Sequence, residues 1–162
     1  MSLRNPKKRR VDRNELLRGV PGAIMSADFV PWKLLIPKLD HDFSELARMS
    51  RADDDGIVTC IDGCGQTGHW KDFDCGHFAD RDNLPTRWLL DNCWPQARSC
   101  NRFKTGKRYE FGRALNAMKP GMADALLLKA KDPVLAAKVR HEAPELLDQI
   151  RAQLKIQRKR FR

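Results

Sequence analysis

The sequence predicts an α+β fold in three parts. A basic arm and linker occupies residues 1–40, a small strand-and-helix core built on a zinc knuckle occupies 41–118, and a basic helical extension occupies 119–162. Three observations predict it. All five cysteines fall between Cys60 and Cys100, and without a secretory signal such clustering points to metal rather than to disulfides. Short apolar runs broken by glycine surround those cysteines, whereas the residues after 119 show helical spacing with proline starts. Charge divides the chain in the same places: residues 51–118 hold ten Lys/Arg against ten Asp/Glu, while 1–50 carry a net +4 and 119–162 a net +6.

Positive flanks around a neutral core suit an enzyme that grips a polyanion, because each cation placed at a phosphate releases counterions. DNA is therefore the expected partner, with a merely solubilising surface as the plain alternative. No apolar run approaches the roughly 20 residues a membrane span needs, and the expectation is a cytoplasmic protein with no membrane partner.

Residues 1–13 carry six basic side chains against Asp12 and read as an arm that orders on nucleic acid. Gly19, Pro21, Gly22, Pro31 and Pro37 break residues 19–37 too often for a long helix. Asp42 and Glu45 form a capping box, so a short helix with Phe43, Leu46 and Ala47 on one face is expected from there to Arg51. Asp53-Asp54-Asp55-Gly56 is a solvated turn, since it lacks the alternate spacing of a calcium loop. Ile57–Thr59 is a strand leading into Cys60. Trp70–Phe78 is a second strand with a bend at Gly76, and Trp88-Leu89-Leu90 a third. A helix starts at Cys100 and resumes beyond Gly106. Three helices follow, over Met122–Lys131, from Asp132-Pro133, and from Pro144 with Leu147, Ile150 and Leu154 as its apolar stripe.

Chemistry concentrates between Thr59 and Tyr109. Cys60, Cys64 and Cys100 supply soft ligands for structural Zn²⁺. Asp74 and His77 are three apart, and a bend at Gly76 is expected to turn both into one cleft. Asp74 is then an oxygen ligand for catalytic Mg²⁺ or Mn²⁺, and His77 the base that activates water. The Asn101 carboxamide completes the cation's protein ligands. Arg81, Arg87, Arg102, Lys104 and Lys107 are expected to hold phosphates of the DNA, and Asn92 to fix the loop behind the site through backbone hydrogen bonds. These parts describe a metal-dependent nuclease, with a purely structural zinc module as the rival reading.

The segments CIDGC, DCGHF, R-x5-R, DN and Q-x3-CNRFKTG-x2-Y resemble the NinG (Rap) recombination proteins of lambda-like phages, over about Cys60 to Leu115. The resemblance implies an HNH-type (ββα-metal) endonuclease core, in which two strands and a helix surround one divalent cation and a zinc knuckle holds them. It also implies cleavage of branched recombination intermediates such as Holliday junctions, in a phage protein working in the bacterial cytoplasm. Asp-x2-His followed by Cys-Asn is similar to the metal site of the phage junction-resolving endonuclease, which places Asp74 and Asn101 on the cation and His77 as base. The chain departs from the family at Ala97, where a cysteine is expected. Cys93 is then the best fourth zinc ligand, with Cys75 and His69 as other candidates and loss of the zinc as the remaining one. Other readings are an HNH enzyme that nicks or cuts plain duplex, and a zinc-stabilised, non-catalytic DNA-binding accessory. A two-fold junction substrate would invite a homodimer.

Overall fold

The computed structural model describes residues 30–103 and 107–161. Its first element, α1 (Trp32–Met49), buries Leu35, Leu39, Phe43, Leu46, Ala47 and Met49 along one stripe. The helix begins inside the stretch expected to be linker and runs through Pro37 and residue 40. A proline inside a helix costs about 3 kcal/mol, but truncating one fully buried leucine such as Leu39 costs a similar 2–5 kcal/mol. The buried stripe therefore outweighs the break. The capping box at Asp42 is not used as one. Asp42 instead pairs with Arg151 at 2.8 Å, and Glu45 with Arg158 at 2.7 Å.

Two antiparallel hairpins follow. In the first, β1 (Ile57–Thr59) pairs with β2 (Thr67–His69), with Val58 opposite Gly68. A single 3-10 turn over Trp70–Asp72 stands where the front of a longer strand was expected. The second hairpin pairs β3 (Asp74–His77) with β4 (Cys93–Gln96), and its register runs Asp74↔Gln96, Cys75↔Pro95, Gly76↔Trp94, His77↔Cys93. Its connecting loop holds a one-turn helix, α2 (Leu84–Arg87), and a 3-10 turn over Leu90–Asn92 where the sequence suggested a strand. Helices α3 (Arg98–Phe103), α4 (Arg108–Met118), α5 (Met122–Ala130), α6 (Pro133–His141) and α7 (Ala143–Arg160) complete the chain. Asp132 caps α6, accepting from the N–H groups of Val134 and Leu135.

The main core joins α1, both hairpins and α7 through Leu39, Phe43, Val58, Phe73, Trp88, Leu147, Ile150 and Leu154. A smaller cluster of Phe78, Phe111, Leu115, Ala123 and Leu126 lies under α4 and α5. Among the described residues no helix is long and apolar enough to cross a membrane.

Asp40 fastens the β3–β4 loop to α1. Its carboxylate accepts from Arg87 Nε and Nη2 at 2.9 and 2.7 Å, from Arg81 Nη2 at 2.6 Å and from Trp88 Nε1 at 3.0 Å. Burial opposes its ionisation, but the hydrogen bonds and charges of Arg87 and Arg81 outweigh that and hold its pKa at about 2, below the ordinary 3.8. A carboxyl whose folded pKa lies below its unfolded one stabilises fully above the unfolded value. That contribution fades as pH falls toward the folded pKa. Discounted for solvent screening, it amounts to about 1–2 kcal/mol. Asp40→Asn should lower the urea-unfolding free energy by about that much at pH 7, with the gap to wild type narrowing between pH 4 and 2. A gap that stays constant from pH 7 to 3 would remove Asp40 from this role.

Candidate metal centres

The β3–β4 register decides what the core chemistry looks like. Side chains alternate along a strand, so Asp74 and Gly76 leave β3 on one face and Cys75 and His77 on the other. β3 pairs without interruption from Asp74 to His77, and the bend expected at Gly76 is absent. The glycine serves a different need. A Cβ there would come within 2.9 Å of Gln96 Cβ, and the buried Gln96 side chain lies over this face and reaches toward Asp62. The predicted pairing of Asp74 and His77 in one cleft is thereby corrected.

The first centre forms where the β1–β2 loop meets the start of α3. Gly63 and Gly65 adopt φ values of 70° and 80°, a left-handed backbone that glycine takes without a Cβ penalty. The turns they make bring Cys64 back toward Cys60. Cys60, Asp62, Cys64 and Cys100 then place their ligand atoms within 4.8 Å of one another. Cys60 donates from Sγ to Asp62 Oδ1 at 3.0 Å, and the same oxygen accepts from Cys64 N–H at 3.2 Å. Burial raises the Cys60 and Cys100 thiols, and the Asp62 carboxylate raises both further. Asp62 itself is penalised by burial, yet the thiols of Cys60, Cys100 and Cys64 donate to it and lower its pKa. Three thiols and one buried carboxylate are a donor set that fits zinc, which displaces the thiol protons when it binds. This group can hold a metal of that kind.

The fourth position of this group is Asp62, not Cys93 as the sequence suggested. Cys93 pairs with His77 across the other hairpin and cannot reach the knuckle. Ala97, where a cysteine was expected, contributes its backbone: its N–H donates to Cys60 Sγ at 3.1 Å. Asp62 stands in the sequence between the two cysteines, and the expected ligand set does not include it. His69, another candidate, caps the Trp70–Asp72 turn by accepting from Lys71 N–H.

The second group lies on the opposite face of the β3–β4 hairpin. Cys75, His77 and Cys93 also bring their ligand atoms within 4.8 Å of one another. His77 Nε2 lies 3.0 Å from the Arg87 carbonyl, and burial is the main cause that lowers its pKa. Cys93 is fully buried and its thiol is pushed up by that burial, whereas Cys75 is lowered chiefly by the hydrogen bond Cys93 gives it. Asn92 braces the loop behind them. It accepts from Ala79 N–H at 2.7 Å and donates to the carbonyls of Ala79 and Thr86, both at 3.0 Å.

Asp74 and Asn101 meet on the first face. Asn101 Nδ2 donates to Asp74 Oδ2 at 3.1 Å, and Arg102 forks onto both carboxylate oxygens at 2.8 Å. Burial opposes ionisation of Asp74, but Arg102 and Asn101 lower its pKa. The oxygens suit a hard cation by type, although Arg102 occupies them here. Of the other expected phosphate contacts, Arg81 and Arg87 are turned onto Asp40. Lys107 stands at the N-cap of α4 with a φ of 44°, and Lys104 lies outside the described residues.

No family model matches this chain, and no curated protein or solved structure matches it either.

The knuckle assignment has a direct consequence for metal content. Asp62→Ala should loosen zinc and Cys60→Ser or Cys100→Ser should release it, because the ion's binding free energy is folding free energy. Cys93→Ser should leave the knuckle zinc in place. Metal analysis of the purified variants decides it, and knuckle zinc lost from the Cys93 variant would restore the sequence-based ligand set.

Proposed function

We propose that this protein is a divalent-metal-dependent DNA endonuclease of the HNH (ββα-metal) type, acting on branched recombination intermediates. The observation that carries the reading is the meeting of Asp74 and Asn101 at 3.1 Å, where the first strand of a hairpin faces the helix that follows its second strand. The order β3, loop, β4, α3 and the resemblance over Cys60–Leu115 support the same reading.

In it, the knuckle of Cys60, Cys64, Cys100 and Asp62 holds structural zinc and pins the first turn of α3. That anchorage fixes Asn101 against Asp74, since Cys100 precedes it directly. Asp74 and Asn101 would hold Mg²⁺ or Mn²⁺, which when bound would supply Lewis-acid polarisation of the phosphoryl oxygen and of the leaving alkoxide. Arg102, which forks onto Asp74 here, would hold a neighbouring phosphate, a role its bidentate guanidinium suits. His77 faces away from this centre and is not its general base.

A second reading is a zinc-stabilised DNA-binding accessory without cleavage. It is favoured by the Arg102 fork, which satisfies both Asp74 oxygens within the chain.

One assay separates the two. Wild-type protein with Mg²⁺ or Mn²⁺ should cut a four-way junction or flap in preference to linear duplex. Asp74→Asn and Asn101→Ala should each reduce that rate by on the order of 10²-fold or more, with zinc content unchanged. Full activity in both variants would remove the centre from catalysis. Binding without cleavage of any of the three DNAs by the wild type would leave the accessory reading standing.

A further inference from the structure

We propose that Cys75, His77 and Cys93 hold a transition-metal ion of the zinc class at a second centre, whose fourth position opens into the cleft between α1 and the β3–β4 hairpin. This goes beyond the endonuclease reading, which uses neither Cys75 nor Cys93.

The strand register builds the site. Cys75 and His77 are two apart on β3, and Cys93 stands directly opposite His77 on β4. Side chains two apart on one strand share a face, as do cross-strand partners. All three donors therefore converge by the geometry of the ladder, on a rigid element rather than on a loop, and their ligand atoms lie within 4.8 Å of one another.

The surroundings complete what such an ion requires. A carbonyl oxygen only accepts, so the 3.0 Å contact from His77 Nε2 to the Arg87 carbonyl puts the ring proton on Nε2 and the lone pair on Nδ1. Metal-bound imidazoles are held this way, their remaining N–H given to a carbonyl that fixes tautomer and ring plane. The Arg87 residue that supplies the carbonyl is itself clamped by Asp40. The same carbonyl also lies 3.6 Å from Cys93 Sγ, so one backbone oxygen stands beside two of the three donors.

Donor chemistry selects the ion. Two thiolates and a neutral imidazole around a dication give no net charge, which a half-buried site accepts at low cost. Soft sulfur donors favour zinc over Mg²⁺ or Mn²⁺. Three protein ligands with an open fourth position is the pattern of reactive rather than purely structural zinc. Here the opening is a cleft of about 710 Å³ in which Cys75 and His77 are joined by Asp40, Ser44, Arg48 and Arg81. The fourth position would be open to water from this cleft, on whose wall Arg48 and Arg81 also lie.

The test reads metal content in the full chain, independently of cleavage. Protein purified under reductant and titrated with zinc should take up about two equivalents per chain. His77→Ala and Cys75→Ser should each reduce that to about one, and Cys64→Ser should remove the other. Cadmium-113 NMR of the unmutated protein should show two signals, one from a three-sulfur and one from a two-sulfur environment. A single equivalent that His77→Ala retains and Cys64→Ser loses would overturn the proposal, as would a lone three-sulfur signal. A Cys75–Cys93 disulfide in the reduced preparation would overturn it as well.

Discussion

The constraint that keeps the Asp74–Asn101 pair apart from the Cys75–His77–Cys93 group is the pleat of a four-residue strand. Asp74, Cys75, Gly76 and His77 are consecutive, and β3 pairs with β4 at every one of them. With a side-chain period of two, a separation of three residues places two groups on opposite faces unless a bulge intervenes. Gly76 is the residue that could have provided the bulge. Its lack of a Cβ is used instead to let Gln96 close over the strand, and Gln96 in turn ties the hairpin to Asp62 of the knuckle. Regular pairing and the cover over Gly76 support each other, and together they separate Asp74 from His77.

What the sequence encodes locally is legible in it, and what depends on distant partners is not. The knuckle follows from the spacing of Cys60 and Cys64 with Gly63 between them and Gly65 after, and the starts of α6 and α7 follow from Asp132-Pro133 and Pro144. Each of these depends on residues within a few positions. The extent of α1 was hidden because its support comes from Leu147, Ile150 and Leu154, over a hundred residues away, while Pro37 argued locally against it. The capping box at Asp42 failed for the same reason: both of its acids found arginines on α7, at sequence separations of 109 and 113. Asp40 carried no local signal at all, since its partners Arg81, Arg87 and Trp88 lie 41 to 48 residues away.

Charge shows a similar gap between composition and structure. A net charge of +10 suggests abundant cations for a polyanion, yet many of the arginines are engaged within the chain. Arg81 and Arg87 hold Asp40, Arg102 holds Asp74, and Arg108 holds Asp80. On α7, Arg151, Arg158 and Arg160 pair with Asp42, Glu45 and Asp54. The basic tail thus acts first as a strap across α1. Of these pairs, Arg108–Asp80 and Arg160–Asp54 are exposed on both sides, and such pairs are worth about 0–1 kcal/mol each, so a phosphate can exchange with the carboxylate there at small cost. Counting formal charge overstates the affinity such a surface has for DNA, because every exchanged arginine leaves an acid behind.

The pleat also resolves a conflict that the linear sequence poses. Cys75 is adjacent to Asp74, and a thiolate on the same face as that carboxylate would draw zinc or another soft ion to it. On β3 the two side chains leave in opposite directions. The sulfur and imidazole donors of Cys75, His77 and Cys93 gather under α1, while the oxygens of Asp74 and the amide of Asn101 gather against α3. Donor softness is therefore sorted by face, with the backbone ladder between. A one-residue slip of β3 against β4 would move Asp74, Cys75 and His77 to the wrong faces. The contact of Gln96 over Gly76 opposes that slip, because the next residue in either direction, Cys75 or His77, carries a Cβ that the buried glutamine has no room to admit. Gly76, where the sequence predicts a bend, is instead the lock on the register of this hairpin.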